Sequence, residues 1–99
     1  MSSSNPLKRR GVITGGGADR KIVLGFKPAQ VKVVNITDRI ENEKSDTMPD
    51  DLALRRIANG TATYVDGITL NSDGFTMLAA VAIDTKELHY YAEEAKNEA

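Results

Sequence analysis

The chain has 99 residues, 40% of them hydrophobic and 27% charged, and no cysteine. That is enough for one packed domain, and it excludes a disulfide framework and thiolate chemistry. A formal net charge of −1 with a pI near 5.8 supplies no global field for nucleic acid or an anionic membrane.

Residues 1–20 read as an N-terminal arm, polar at first and then basic at Lys8, Arg9 and Arg10. No apolar segment of signal-peptide type lies here, so no leader is expected. Gly11-Val12-Ile13-Thr14 can form a short strand, followed by Gly15-Gly16-Gly17 as a turn or flexible link. A single β-rich domain is expected over residues 21–92. Its first strand is the apolar, partly β-branched stretch 21–26, and its second is 30–37, with Val31, Val33 and Asn35 on one face and Lys32 and Val34 on the other. Lys27-Pro28-Ala29 between them predicts a tight turn joining adjacent strands, because proline fixes φ and lacks an amide donor. Residues 38–51 hold six acidic residues against two basic ones. They read as a long surface loop tethered by Ile40 and Met48, a length that suggests contact with a partner.

Asp51 is placed to cap a short helix over 52–58 that stops at Asn59-Gly60, with an irregular edge segment as the alternative. From residue 61 the β pattern resumes. Residues 61–65 and 68–70 flank an Asp66-Gly67 turn, and Asn71-Ser72-Asp73-Gly74 turns the chain into 75–78. Residues 79–83 extend that strand or begin another, and Asp84-Thr85-Lys86 leads into 87–92 as a final hairpin. The apolar run 75–83 is too short to cross a bilayer. Good helix formers abound after residue 76, but the interrupting turn residues and Tyr90-Tyr91 favour strand. Residues 93–99 form an acidic C-terminal tail. The expected fold is mainly β: a compact antiparallel β-sandwich or barrel-like domain with extended termini and at most a short helix.

Catalytic signals are missing from this pattern. His89 is the sole histidine, so neither a multi-histidine metal centre nor an HExxH motif exists, and the serines lie in tails and loops without a nucleophile-elbow sequence. The glycine run lacks the Gly-Lys-Ser/Thr ending of a P-loop. The acidic stretch lacks EF-hand spacing. Catalytic, cofactor-binding and metal-binding residues are therefore assigned to none of these positions, and no enzyme is expected. The candidate interaction residues are the basic Lys8, Arg9 and Arg10, the pair Arg55 and Arg56, and the tyrosines Tyr64, Tyr90 and Tyr91. The basic pairs lack an aromatic-interleaved RNA motif or a DNA-reading helix, so an acidic protein surface fits them at least as well as phosphate.

The stretch 25–38 reads Gly-Phe-Lys-Pro-Ala-Gln-Val-Lys-Val-Val-Asn-Ile-Thr-Asp. It resembles the GF-x-P-x-x-V-x-V-x-N-x-T region of small phage and prophage virion structural proteins. Gly60-Thr61-Ala62-Thr63-Tyr64, Gly67-Ile68-Thr69-Leu70, Gly74-Phe75-Thr76 and Tyr90-Tyr91-Ala92 are similar to later β elements of that group, so the likeness spans about residues 11–92. It implies a capsid-decoration or minor capsid protein, bound to the major capsid protein and to itself, with a trimer favoured. Such a protein assembles in the host cytoplasm, sits on the head surface, and needs no cofactor and no membrane. Gly25 and Pro28 would shape the backbone, Phe26, Val31 and Val33 would pack, and Asn35 would make a turn or inter-strand hydrogen bond. The alternatives are a tail or baseplate accessory protein and a small receptor- or carbohydrate-binding module. The alanine-rich 79–83 stretch and the acidic tail depart from the group's pattern.

Overall fold

The computed structural model describes residues 7–95. Alternating side chains set most of its elements. They are nine strands: β1 (Lys8–Thr14), β2 (Arg20–Val23), β3 (Pro28–Asn35), β4 (Ile40–Ser45), β5 (Leu52–Arg56), β6 (Ala62–Asp66), β7 (Ile68–Asn71), β8 (Gly74–Met77) and β9 (Glu87–Glu94). A six-stranded sheet has the order β1-β9-β3-β4-β5-β6 and a three-stranded sheet the order β2-β8-β7, every pairing antiparallel. The fold is mainly β, as expected. The small sheet lies against β3 and β5 of the large one, and neither closes into a barrel.

One core joins the layers. Val31 and Val33 of β3, Ala53 of β5, and Leu88 and Ala92 of β9 meet Ile22, Ile68, Phe75 and Met77 of the small sheet. The alanine-rich stretch contributes Val81 and Ala82, both buried, from a connection rather than from a strand. Burial of this apolar surface is the main favourable term, since the chain has no covalent cross-link.

Sequence neighbours often sit in different sheets, which corrects three expected hairpins. β2 pairs with β8 and β3 with β4 and β9, so the link through Gly25 and Lys27 crosses between layers. Gly25 has φ +88°, which a glycine adopts without strain, and its amide and that of Leu24 both donate to the Asp73 carbonyl. Asp66-Gly67 is likewise a corner from β6 to β7 rather than a hairpin turn. The third crossing, residues 78–86, takes the place of the expected final hairpin. Gly15 and Gly17 donate to the carbonyls of Lys86 and Ala82, Thr85 donates to Gly15, and Asp19 accepts from the Ala79 amide. Asn71-Ser72-Asp73-Gly74 does form the predicted hairpin turn, joining β7 to β8.

Three local expectations also change. Residues 52–56 form strand β5, not a helix, and no helix occurs among the described residues. Here tertiary pairing overrides the helix preference of leucine, alanine and arginine. Within the presumed acidic loop, Ile40–Ser45 is strand β4, pairing with β3 and β5. Its core-facing positions include Asn42 and Lys44, so polar residues hide the alternation. Within the stretch read as an arm, Lys8–Thr14 forms an edge strand on β9. Glu93 and Glu94 end β9, and residues 1–6 and 96–99 lie outside the described set.

Candidate interaction face

Pairing registers sort the candidate residues by face. Reading across the large sheet, Arg10, Tyr91, Lys32, Glu43, Leu54 and Tyr64 form one transverse row, and Val12, His89, Val34, Glu41, Arg56 and Ala62 form the next. A third row runs from Lys8 through Glu93 and Gln30 to Ser45. These rows share the face turned away from the core, because their strand neighbours Val31, Val33, Ala53, Leu88 and Ala92 are the buried ones. No other described element covers this outer face.

Lys8, Arg10, Arg56, Tyr64 and Tyr91 therefore belong to one surface. Arg9, Arg55 and Tyr90 point to the other side. Arg55 donates from Nε to Asn42 Oδ1 at 3.1 Å and from Nη2 to the Ala80 carbonyl at 2.7 Å, tying β5 to the third crossing. Tyr90 packs against the core with its ring edge-to-face to Phe75, centroids 5.6 Å apart at 66°. It lies over Gly11, its cross-strand partner, where an added Cβ would come within 2.7 Å of the Tyr90 ring. The three tyrosines thus do not converge on one platform. Tyr64 and Tyr91 share a face but stand four strands apart, about 19 Å.

A shallow groove of about 320 Å³ lies over β1, β9 and β3, lined by Arg10, Gly11, Val12, Lys32, Val34, His89, Tyr90 and Tyr91. Its walls are apolar at Val12, Val34 and Tyr91, with cationic groups at the rim. Lys32 Nζ lies 2.9 Å from Glu41 Oε1. That hydrogen bond raises the Lys32 pKa above its ordinary value and lowers that of Glu41, outweighing the opposing effect of burial in both. Arg56 sits 3.7 Å from Glu43, Lys8 3.4 Å from Glu93, and His89 2.8 Å from Glu87 two residues away on its own strand. Arg10 has no ion-pair partner among the described residues. Such a surface can hold an acidic or mixed polypeptide by charge at the rim and apolar contact in the groove. Among the described residues, no three of His, Cys, Asp and Glu gather as a metal-holding group.

Sequence reasoning missed Val12, Lys32, Val34 and His89 as parts of this surface. The alternation of β3 already separated Lys32 and Val34 from the core-facing valines; combining it with the alternation of β1 and β9 was the signal that could have found them. Glu41 and Glu43 were obscured because β4 reads as a loop.

The signature residues occupy framework positions instead. Phe26, Pro28, Val31, Val33 and Asn35 are buried, and Gly25 makes the positive-φ corner. Asn35 closes the β3–β4 turn: its Nδ2 donates to Asp38 Oδ2 at 2.9 Å and its Oδ1 accepts from the Asp38 amide at 3.0 Å. No protein-family model, curated protein or solved structure matches the chain.

Proposed function

We propose that this chain is a non-enzymatic virion structural protein that binds a phage capsid surface and stabilises the shell. The observation that carries the reading is the outer face of the six-stranded sheet, which no described element covers, opposite an inner face whose central strands pack into the core. Five inter-strand spacings and strands of five to eight residues give that face roughly 500 Å². A stable protein contact buries about 800 Å² per partner, so this patch alone is too small to hold a lone copy firmly. Many weak contacts on a repeating lattice remove that difficulty through multivalency. The resemblance of residues 25–38 to small virion proteins adds the shell as the repeating partner. It rests on positions that build the turn and core, so it speaks for a shared framework.

The major capsid protein is the proposed partner, with self-association beside it, and the head surface is the proposed location. Imaging the native particle by cryo-electron microscopy, after mass spectrometry confirms the chain in it, tests this. Ordered copies at symmetry-related head positions with the β1-β9-β3 groove against the shell are expected. A well-resolved head without the chain, or density only in the tail, overturns the reading and leaves the tail-accessory alternative.

A further inference from the structure

Among the described residues, the large sheet ends in two open edges, β1 and β6, whose chemistry is complementary. We propose that copies of this chain join head-to-tail, the β1 edge of one pairing antiparallel with the β6 edge of the next, so that one continuous sheet runs through the assembly.

Direction is the first argument. Five successive antiparallel pairings separate β1 from β6, so β6 runs opposite to β1. Placing β6 of one copy beside β1 of another therefore continues the antiparallel alternation with both outer faces on the same side.

Backbone phase is the second. At the two ends of β1, Leu7 accepts from the Glu94 amide and Gly15 donates to the Lys86 carbonyl. Alternation along an antiparallel pair then sends the N–H and C=O groups of Lys8, Arg10, Val12 and Thr14 to the free edge. On β6, the Ile57 amide donates to the Thr61 carbonyl, and the same alternation frees Ala62, Tyr64 and Asp66. These are the outer-face residues on both edges, so their rows can pair without either sheet changing its pleat.

Side-chain chemistry selects the register. Setting Lys8 opposite Asp66 of the neighbouring copy places Arg10 opposite Tyr64 and Val12 opposite Ala62. That joins a cation to a carboxylate, a guanidinium to an aromatic ring, and two apolar side chains. It also covers Val12 and Tyr64, which are 56% and 64% exposed. Pairing β1 with another β1 gains no acidic partner and brings the Arg10 side chains of two copies together, while β6 on β6 gives the cations nothing. The contact is heterologous, so it builds a closed ring or an open array according to the rotation per copy. It does not depend on the virion assignment, because it is a property of the isolated chain.

The native absence of cysteine makes cross-linking clean. Arg10→Cys and Tyr64→Cys single variants, each checked for native amide dispersion, are mixed at high concentration in a thiol–disulfide buffer. Directly opposed strand residues fall within disulfide reach. A disulfide-linked dimer containing one of each variant is expected, with less product when Ala62→Cys replaces Tyr64→Cys. Homodimers of either single variant predominating, or no linked product, overturns the proposal. In parallel, Tyr64→Pro removes an edge-facing amide while sparing the β5–β6 ladder. It is expected to weaken self-association of the unlinked chain by about tenfold in sedimentation equilibrium. Unchanged association, or a wild-type chain that stays monomeric at those concentrations, counts against the contact.

Discussion

Replacing two adjacent tyrosines by alanine should destabilise the protein to different extents. Tyr90 turns inward to Phe75 and Tyr91 turns outward to the groove. Truncating a fully buried aromatic costs about 3–5 kcal/mol; Tyr90 is half-buried, so Tyr90→Ala should cost roughly 2–3 kcal/mol. About 0.5–1.5 kcal/mol of that belongs to the edge-to-face pair. With an unfolding entropy near 2.1 cal/mol/K per residue, about 0.2 kcal/mol/K for this chain, Tm should fall by roughly 10–15 °C. Tyr91 is also half-buried but makes no ring pair among the described residues and faces away from the core, so Tyr91→Ala should cost less, about 1 kcal/mol, a shift of roughly 5 °C. Calorimetry with urea denaturation measures both, and a double-mutant cycle with Phe75→Leu isolates the ring pair. Equal losses for the two variants, or a larger loss for Tyr91→Ala, would refute the assignment of the two faces.

Gly74→Ala should destabilise strongly, because its Cβ would press on the Ile22 carbonyl of the adjacent strand; about 1–3 kcal/mol is expected by urea unfolding. Asn35→Ala removes both side-chain bonds that close the β3–β4 turn, and a loss of about 1–2 kcal/mol should appear in the same assay. Lys44 is 2% exposed, donates to the carbonyls of Pro49 and Leu52, and has its pKa lowered by burial. Between that lowered value and 10.5 the unfolded chain binds more protons, so this group makes stability rise with pH. The stability of wild type relative to Lys44→Met should therefore increase from pH 8 to pH 10; a decrease would contradict the burial. Glu41→Gln should cost at most a few tenths of a kcal/mol at pH 7, since the Lys32 pair is solvent-screened. Because the Glu41 pKa is lowered below 4.5, that small difference should vanish as pH falls through the folded value, as acid titration of stability can check.

The strands that were legible in sequence are those whose core face is apolar. β3 alternates Val31 and Val33 against Lys32 and Val34, and β7 and β8 flank a hairpin turn rich in asparagine, aspartate and glycine. β4 was illegible because its inward positions are Ile40, Asn42 and Lys44, two of them polar. Lys44 satisfies its ammonium with the carbonyls of Pro49 in the following loop and Leu52 at the start of β5, and Asn42 accepts from Arg55 on that strand. A local window sees charge; only the folded chain provides the partners that let these groups be buried. β5 shows the same limit, since its helix-forming residues are held extended by pairing with β4 and β6 on either side. The hairpins misassigned at Pro28, Gly67 and Thr85 share another cause: a turn signal marks a change of direction, not whether the next strand stays in the same layer. The outer face followed from alternation on β3, but its full width required the positions of β1 and β9.

Strand β9 lies between β1 and β3, yet it follows every other described strand in the chain. Until it arrives, β1 has no sheet to join, β3 has a bare edge, and the groove lacks its central row. Successive hairpins can build β3-β4-β5-β6, but the sheet is completed only when β9 docks on β3 and takes up β1, and such non-local pairing slows folding toward the millisecond-to-second range. During synthesis, the edge that carries Lys8 and Arg10 is presented only after residues 87–94 have slotted into place. A partly folded chain therefore bares the β3 edge and lacks the β1 edge, so the proposed head-to-tail contact becomes available only once the fold is complete.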